Sequence, residues 1–183
     1  MIKKMVRYSG LMLLASCSTS LPMDVYLPQN HIRYTGIVQM GEFNYIPYQR
    51  GLVKSNRIKR GTGGGITLSK DIALLVERNT ALELEKTGVS LGDSQLIITG
   101  EIQEFRVDDF GFNAEFSYLI TYKLLDSKTS KIILNKTVGA YRKGVGKFSS
   151  SESYVNLVNS MILEAYMEFI TDDEVRKIIK KQA

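Results

Sequence analysis

The 183-residue sequence has one cysteine, one histidine, three prolines and no tryptophan. A single cysteine excludes an internal disulfide, so the fold must rest on packing. One histidine and one cysteine cannot build a zinc or iron centre. The histidine, His31, stands in a stretch without periodicity and reads as a surface residue, not as a member of a Ser-His-Asp arrangement. The carboxylates offer no substitute. Asp108-Asp109 suits a turn and Asp172-Asp173 a helix start, and both readings outweigh a catalytic pair. The run from Asp108 to Asn113 is too short and too apolar for an oxygen-ligand calcium loop. No catalytic residue, metal ligand or cofactor is expected, and the chain reads as a non-enzyme. A hydrolase would need a deep pocket holding two or more carboxylates.

Charge of one sign is scarce as well. The formal +5 includes Lys3, Lys4 and Arg7 at the N-terminus, and about +2 remains without them. No Lys/Arg stripe interleaved with aromatics follows a strand or helix, so nucleic acid is not an expected partner. Long apolar runs are missing too. Leu11 to Ala15 is far short of the roughly 20 residues that cross a bilayer. Behind Lys3, Lys4 and Arg7 it has the layout of a secretory leader.

Leu14-Ala15-Ser16-Cys17 closes that leader. The run resembles the bacterial lipoprotein box, in which Leu and small residues precede a Cys that receives lipid. The resemblance implies that residues 1–16 are removed as a signal peptide and that Cys17 carries three acyl chains. Each buried methylene contributes about 0.8 kcal/mol, and stable anchoring takes more than one chain. A buried or free thiol is the plainer alternative. Ser18 stands where enterobacterial lipoproteins held at the inner membrane carry Asp, which implies the outer membrane and a domain facing the periplasm.

Removing 16 of 183 residues leaves 167, the size of one domain with a tether. Residues 17–32, with Pro22 and Pro28, read as the lipidated tether, and residues 33–183 as a single α+β domain. Tyr34 to Met40 is the first strand, and Phe43 to Tyr48 continues extended until Pro47 ends it. Gln49 to Gly65 carries Arg50, Lys54, Arg57, Lys59 and Arg60 before a glycine-rich end and reads as a mobile, solvated loop, so deleting Asn56–Gly65 is expected to spare the fold and weaken partner binding. It matches neither the P-loop nor the dinucleotide glycine pattern. Lys54, Arg57, Lys59 and Arg60 are its candidate contacts to an anion or partner.

Thr67 or Ser69 is placed to cap a helix bearing Ile72, Leu75, Val76, Leu82 and Leu84, with Gly88 as its stop. Glu83 and Glu85 read as solvated charge on it. Three strands follow. In the first, the apolar phase shifts from Ile102 to Phe105, which predicts a bulge near Gln103 or Glu104. In the second, residues from Ala114 to Leu124 alternate cleanly. The third runs from Lys131 to Arg142, closing an antiparallel meander, and a Gly/Ser loop continues to Ser151. A long helix then presents Val155, Val158, Ile162, Ala165 and Phe169 on one stripe, capped from Ser149 to Ser151. Thr171 to Glu174 reads as a capping box for a short last helix with a basic end.

The expected fold is thus an antiparallel sheet, in the order strand, helix, three strands, helix, with two main helices on one face. That order behind the lipoprotein box, with Phe43-Asn44-Tyr45-Ile46-Pro47-Tyr48 and the following loop, resembles small outer-membrane lipoproteins of the YajG type. In layout it is also similar to LptE-like and PqiC-like auxiliary lipoproteins, over roughly Tyr34 to Ile170. The resemblance implies no catalytic residues. It implies a non-enzymatic, membrane-anchored module that docks an envelope protein, or else an auxiliary transport subunit that binds lipid or substrate. Self-association is left open.

Overall fold

In the computed structural model, the described residues are 20–23, 26–61, 65–108, 111–139, 143–146 and 149–181. Twelve elements follow one another there: β1 (Gly36–Tyr45), α1 (Ile46–Gln49), β2 (Arg57–Arg60), β3 (Gly65–Thr67), α2 (Ile72–Thr87), β4 (Val89–Leu91), β5 (Leu96–Asp108), β6 (Asn113–Asp126), β7 (Ile132–Gly139), β8 (Lys143–Gly146), α3 (Ser151–Ile170) and α4 (Asp173–Lys180).

Two long strands, β5 and β6, form the spine as an antiparallel pair. Each then carries two shorter strands in tandem along its outer edge. β5 pairs with β1 along its first half and with β2 near its end, and β6 pairs with β7 and with β8. β4 extends the sheet beyond β1, and β3 extends it beyond β2.

The sheet is mixed, not antiparallel throughout. β1 runs parallel to both β4 and β5, and β2 runs parallel to β5. The physical reason is the crossover. A 16-residue helix, α2, separates β1 from β4 and β5 and carries the chain back to the end where β1 began, so the next strand must run the same way. The meander of β5, β6 and β7 is antiparallel, as its short turns dictate. The register shift in β5 falls between Ile102 and Glu104, at the predicted bulge. Phe105 and Val107 thereby return to the buried face that Leu96, Ile98 and Ile102 occupy.

Both α2 and α3 pack on that face. Val158, Ile162, Ala165 and Phe169 of α3 are buried there. The Phe169 ring stacks on Tyr122 at 4.4 Å between centroids, and Phe43 meets Tyr122 edge-on at 5.9 Å. Each such side chain removed from water contributes roughly 1.5–3 kcal/mol. Gly100 admits this cluster, because a Cβ there would stand 2.3 Å from the Phe43 ring.

Helix ends follow their sequence signals with two exceptions. Gly88 closes α2 in the left-handed conformation at φ 98°, and Ser150 caps α3 by accepting from Ser153 N. Asp71, not Thr67 or Ser69, stands at the N-cap position of α2. Thr67 is paired in β3, and the Asp71 carboxylate accepts instead from Ser55 Oγ at 2.6 Å. α4 is capped by Asp172, because Thr171 closes α3 and gives its hydroxyl to Met167 O.

The stretch read as a solvated basic loop is a hairpin. Arg57 to Arg60 and Gly65 to Thr67 pair as β2 and β3, and Ile58 between the basic residues is fully buried. Deleting 56–65 therefore removes a core side chain and an edge of the sheet. Strands β4 and β8 also lie where the sequence reading placed none.

Candidate functional site

The segment read as a free tether is a strap. Leu21 accepts from Ser69 N and donates to Thr67 O, both at 2.8 Å, and Met23 N donates to Ser69 Oγ at 2.8 Å. Met23 is buried. Farther on, Tyr34 N donates to Thr87 O at 2.9 Å, and Tyr34 lies under the cations of Arg176 and Lys180 at the end of α4.

The strap is gripped at its middle by Glu83 of α2, which is completely buried. Its Oε1 accepts from the Tyr26 hydroxyl and from Gln29 N at 3.0 Å. Its Oε2 accepts from Asn30 N at 3.3 Å and from Asn30 Nδ2 at 2.5 Å. These donors are all neutral, so four dipoles aimed at the carboxylate replace the water it gave up. Burial, with Glu83 beside it, pushes the Tyr26 phenol above its ordinary value. Asn30 Nδ2 also reaches Glu83 O at 2.9 Å, and Thr87 Oγ1 joins Asn30 Oδ1 to the Tyr166 hydroxyl of α3. One polar network thus ties strap, α2 and α3 together.

The sequence reads Glu83 as solvated charge; the structure buries it. The signal that finds it is spacing: Ile72, Val76, Thr80, Glu83 and Thr87 recur at three- and four-residue steps, and all five are buried. An apolar search passes over a stripe that turns polar halfway.

Several cavities border the strap, two of them large. One, of about 650 Å³, lies between the strap and α2, with Met23, Tyr26, Leu75 and Leu82 among its walls and two carboxylates that are already engaged, Asp71 by Ser55 Oγ and Glu77 by Phe43 N. Asn79, 1% exposed, borders it with an Nδ2 that makes no hydrogen bond. The other, of about 490 Å³, opens beside Ser20 and Leu21 and is bordered by Arg57, Arg60, Ser149 and Tyr154.

The predicted site residues separate accordingly. Arg57 and Arg60 are both among the residues that border the second cavity. Lys59 is exposed and faces Arg106 across the strand pair, where it borders a smaller hollow of about 150 Å³. Lys54 is exposed in the turn before β2. Cys17 lies outside the described residues, as does Asp109 of the first acidic pair. Asp172 and Asp173 diverge, the former to Lys136 Nζ at 2.6 Å and the latter to Arg176. His31 is exposed. Among the described residues, no group of His, Cys, Asp and Glu is placed to hold a metal ion, and no helix is long and apolar enough to cross a membrane.

No protein-family model matches the sequence, and no curated protein matches it. Solved structures do. Protein XCC0632 from Xanthomonas campestris, described as DUF330, aligns with a TM-score of 0.69 at 11% identity, over 90% of this chain and 100% of that one. The fold is therefore one already seen in bacteria, nearly end to end. A minor lipoprotein from Acinetobacter baumannii aligns with a TM-score of 0.45 at 10% identity, over 80% of this chain and 94% of its own. Lipoprotein GNA1162 from Neisseria meningitidis aligns with a TM-score of 0.41 at 8% identity, over 73% and 99%.

Proposed function

We propose that this chain is a lipid-anchored, non-enzymatic interaction module of the bacterial cell envelope. Cys17 carries the lipid, the outer membrane holds it, and the domain faces the periplasm and docks an envelope protein. The observation that carries this reading is the strap. The domain grips its own chain from Leu21 onward, four residues after Cys17, so an anchor there holds the domain close to the bilayer. A domain held at the membrane surface suits a module that docks another envelope protein. The test is Cys17→Ala in cells fed labelled palmitate. Label should disappear from the protein and the protein should leave the membrane fraction. Continued labelling of the variant would sink the anchor.

A second reading, an auxiliary transport subunit that holds lipid or substrate, draws on the cavity between the strap and α2. Met23, Leu75 and Leu82 supply apolar wall there, and Asn79 Nδ2 supplies a donor with no partner in the protein. Co-purification of a lipid lost on Asn79→Leu would favour this reading over the first. The space between sheet and long helix offers less, since Tyr122 and Phe169 fill its centre.

A further inference from the structure

A further cavity, of about 340 Å³, lies between the strap and α3. Asn156, Asn159, Ser160 and Leu163 border it from α3, and their steps of three and four residues put them on one face of the helix. That face is distinct from the stripe of Val158, Ile162, Ala165 and Phe169 that α3 buries in the core. Tyr26, Leu27 and Gln29 border the cavity from the strap. A polar helix face under its own chain needs partners for its polar atoms, and this one is short of them. Asn159 Oδ1 is buried and accepts no hydrogen bond.

The lining residues offer acceptors without charge. The Tyr26 hydroxyl donates to Glu83, and the Ser160 hydroxyl donates to Leu157 O at 2.8 Å, so each oxygen is left to accept. Asn159 Oδ1 is a third acceptor, and the side-chain amides of Asn156 and Gln29 both donate and accept. No Asp, Glu, Lys, Arg or His is among the described residues that line the cavity, so an ion would give up water there and meet no counter-charge. Such a lining fits a neutral molecule rich in O–H donors. Leu27 and Leu163 add apolar contact. A sugar ring has both features, hydroxyls around its edge and C–H groups on its faces.

The strap side is fixed before any ligand arrives. The Tyr26 hydroxyl and Gln29 N both donate to Glu83 Oε1, and Pro28 between Leu27 and Gln29 has its φ locked by its ring. A wall fixed in advance loses little freedom on binding. A volume of about 340 Å³ is that of a small-molecule site. We infer that the cavity between the strap and α3 binds a neutral sugar unit, with Asn156 and Asn159 as its polar contacts. The site needs neither a lipid on Cys17 nor the cavity beside Asn79.

Saturation-transfer NMR on the purified full chain in detergent tests this, with chitobiose, cellobiose, maltose and lactose as neutral probes and glucosamine, glucuronate and triglycine as controls. At least one disaccharide should receive saturation, and Asn159→Leu should weaken its binding roughly three- to tenfold, as for one lost neutral hydrogen bond. Silence from all four disaccharides overturns the proposal. Should Asn159→Leu unfold, Asn156→Ala decides, since Asn156 is exposed and lies outside the core; undiminished binding in that variant then counts against the site. Asn135→Ala, which removes an exposed amide of β7, should leave binding unchanged, and an equal loss there overturns the location. Transfer to glucosamine or glucuronate that matches the best disaccharide overturns a neutral ligand. Transfer to triglycine at that level overturns the sugar in favour of a peptide backbone.

Discussion

Asn30 and Glu83, 53 residues apart, are joined by three hydrogen bonds inside the protein: Asn30 Nδ2 to Glu83 Oε2 at 2.5 Å, Asn30 Nδ2 to Glu83 O at 2.9 Å, and Asn30 N to Glu83 Oε2 at 3.3 Å. The pairing closes the N-terminal strap over α2 and turns a would-be linker into part of the domain. A buried carboxylate is costly unless its lone pairs are filled, and here the strap fills them.

Glu83→Gln keeps the shape and places an NH₂ donor against donors. The expected loss is about 1–3 kcal/mol in urea unfolding, the cost of unmatched buried polar groups. The strap should loosen before the sheet does, so limited proteolysis should cut between residues 20 and 32 in the variant and spare the wild type. Equal cleavage rates would mean that the strap is held by Leu21 and Met23 alone.

Gly100→Ala probes the aromatic cluster. A Cβ at this position would stand 2.3 Å from two atoms of the Phe43 ring, and Phe43 is itself pressed on Tyr122. Overpacking of this kind costs about 1–3 kcal/mol. The second change Phe43→Leu should recover part of the loss, because a smaller side chain vacates the space. A double-mutant cycle with no coupling would show that the two positions do not share it.

What the sequence revealed here depended on how local the cause was. The bulge at Gln103 was legible because Ile102 and Phe105 both point inward and only a bulge reconciles them. Gly88 and Ser150 were legible because helix ends have their own chemistry. The parallel pairing of β1 with β5 is set by the crossover through α2, a relation between distant segments that alternation within a strand does not encode. Ile58 was hidden because it stands alone between Arg57 and Lys59, and one apolar residue makes no pattern. β4 and β8 span three and four residues, too few for a period to show. Of the candidate site, the basic residues were legible but their sorting was not. Arg57 and Arg60 share a cavity with the start of α3, some 90 residues downstream, while Lys54 and Lys59 do not.

Asp172 carries both a cap and an ion pair, and pH separates them. The Lys136 ammonium, with the N–H groups of Val175 and Glu174, holds its carboxyl below the ordinary carboxylate range, and Asp172 in turn raises Lys136. A depressed carboxyl contributes stability above its unfolded value near 3.8 and loses it as pH falls through the folded value. Asp172→Asn retains a good capping oxygen and forfeits the ion pair. The stability difference between wild type and variant, measured in urea, should be present at pH 7 and vanish near pH 2. A difference that persists there would assign the effect to the cap.

At the other end of the scale, together with Tyr26 and Tyr45, whose phenols burial also raises, Tyr122 and Tyr166 contribute to alkaline stability. Burial pushes both phenols above their ordinary value of 10.0, with Thr80 and Thr87 opposing in part through hydrogen bonds. The raised value means that the folded chain keeps these protons while the unfolded chain releases them. Their contribution is complete below about pH 10 and declines as pH rises toward the folded values, by roughly 1.4 kcal/mol per pH unit for each. Unfolding followed by circular dichroism should therefore coincide with the phenolate absorbance of the buried tyrosines, both starting above about pH 10. Tyr122→Phe has no proton to lose, so its stability should fall more slowly with pH than that of the wild type, even if it starts lower. Phenolate appearing well before the fold is lost would show that water reaches the Tyr122–Phe169 stack in the native state.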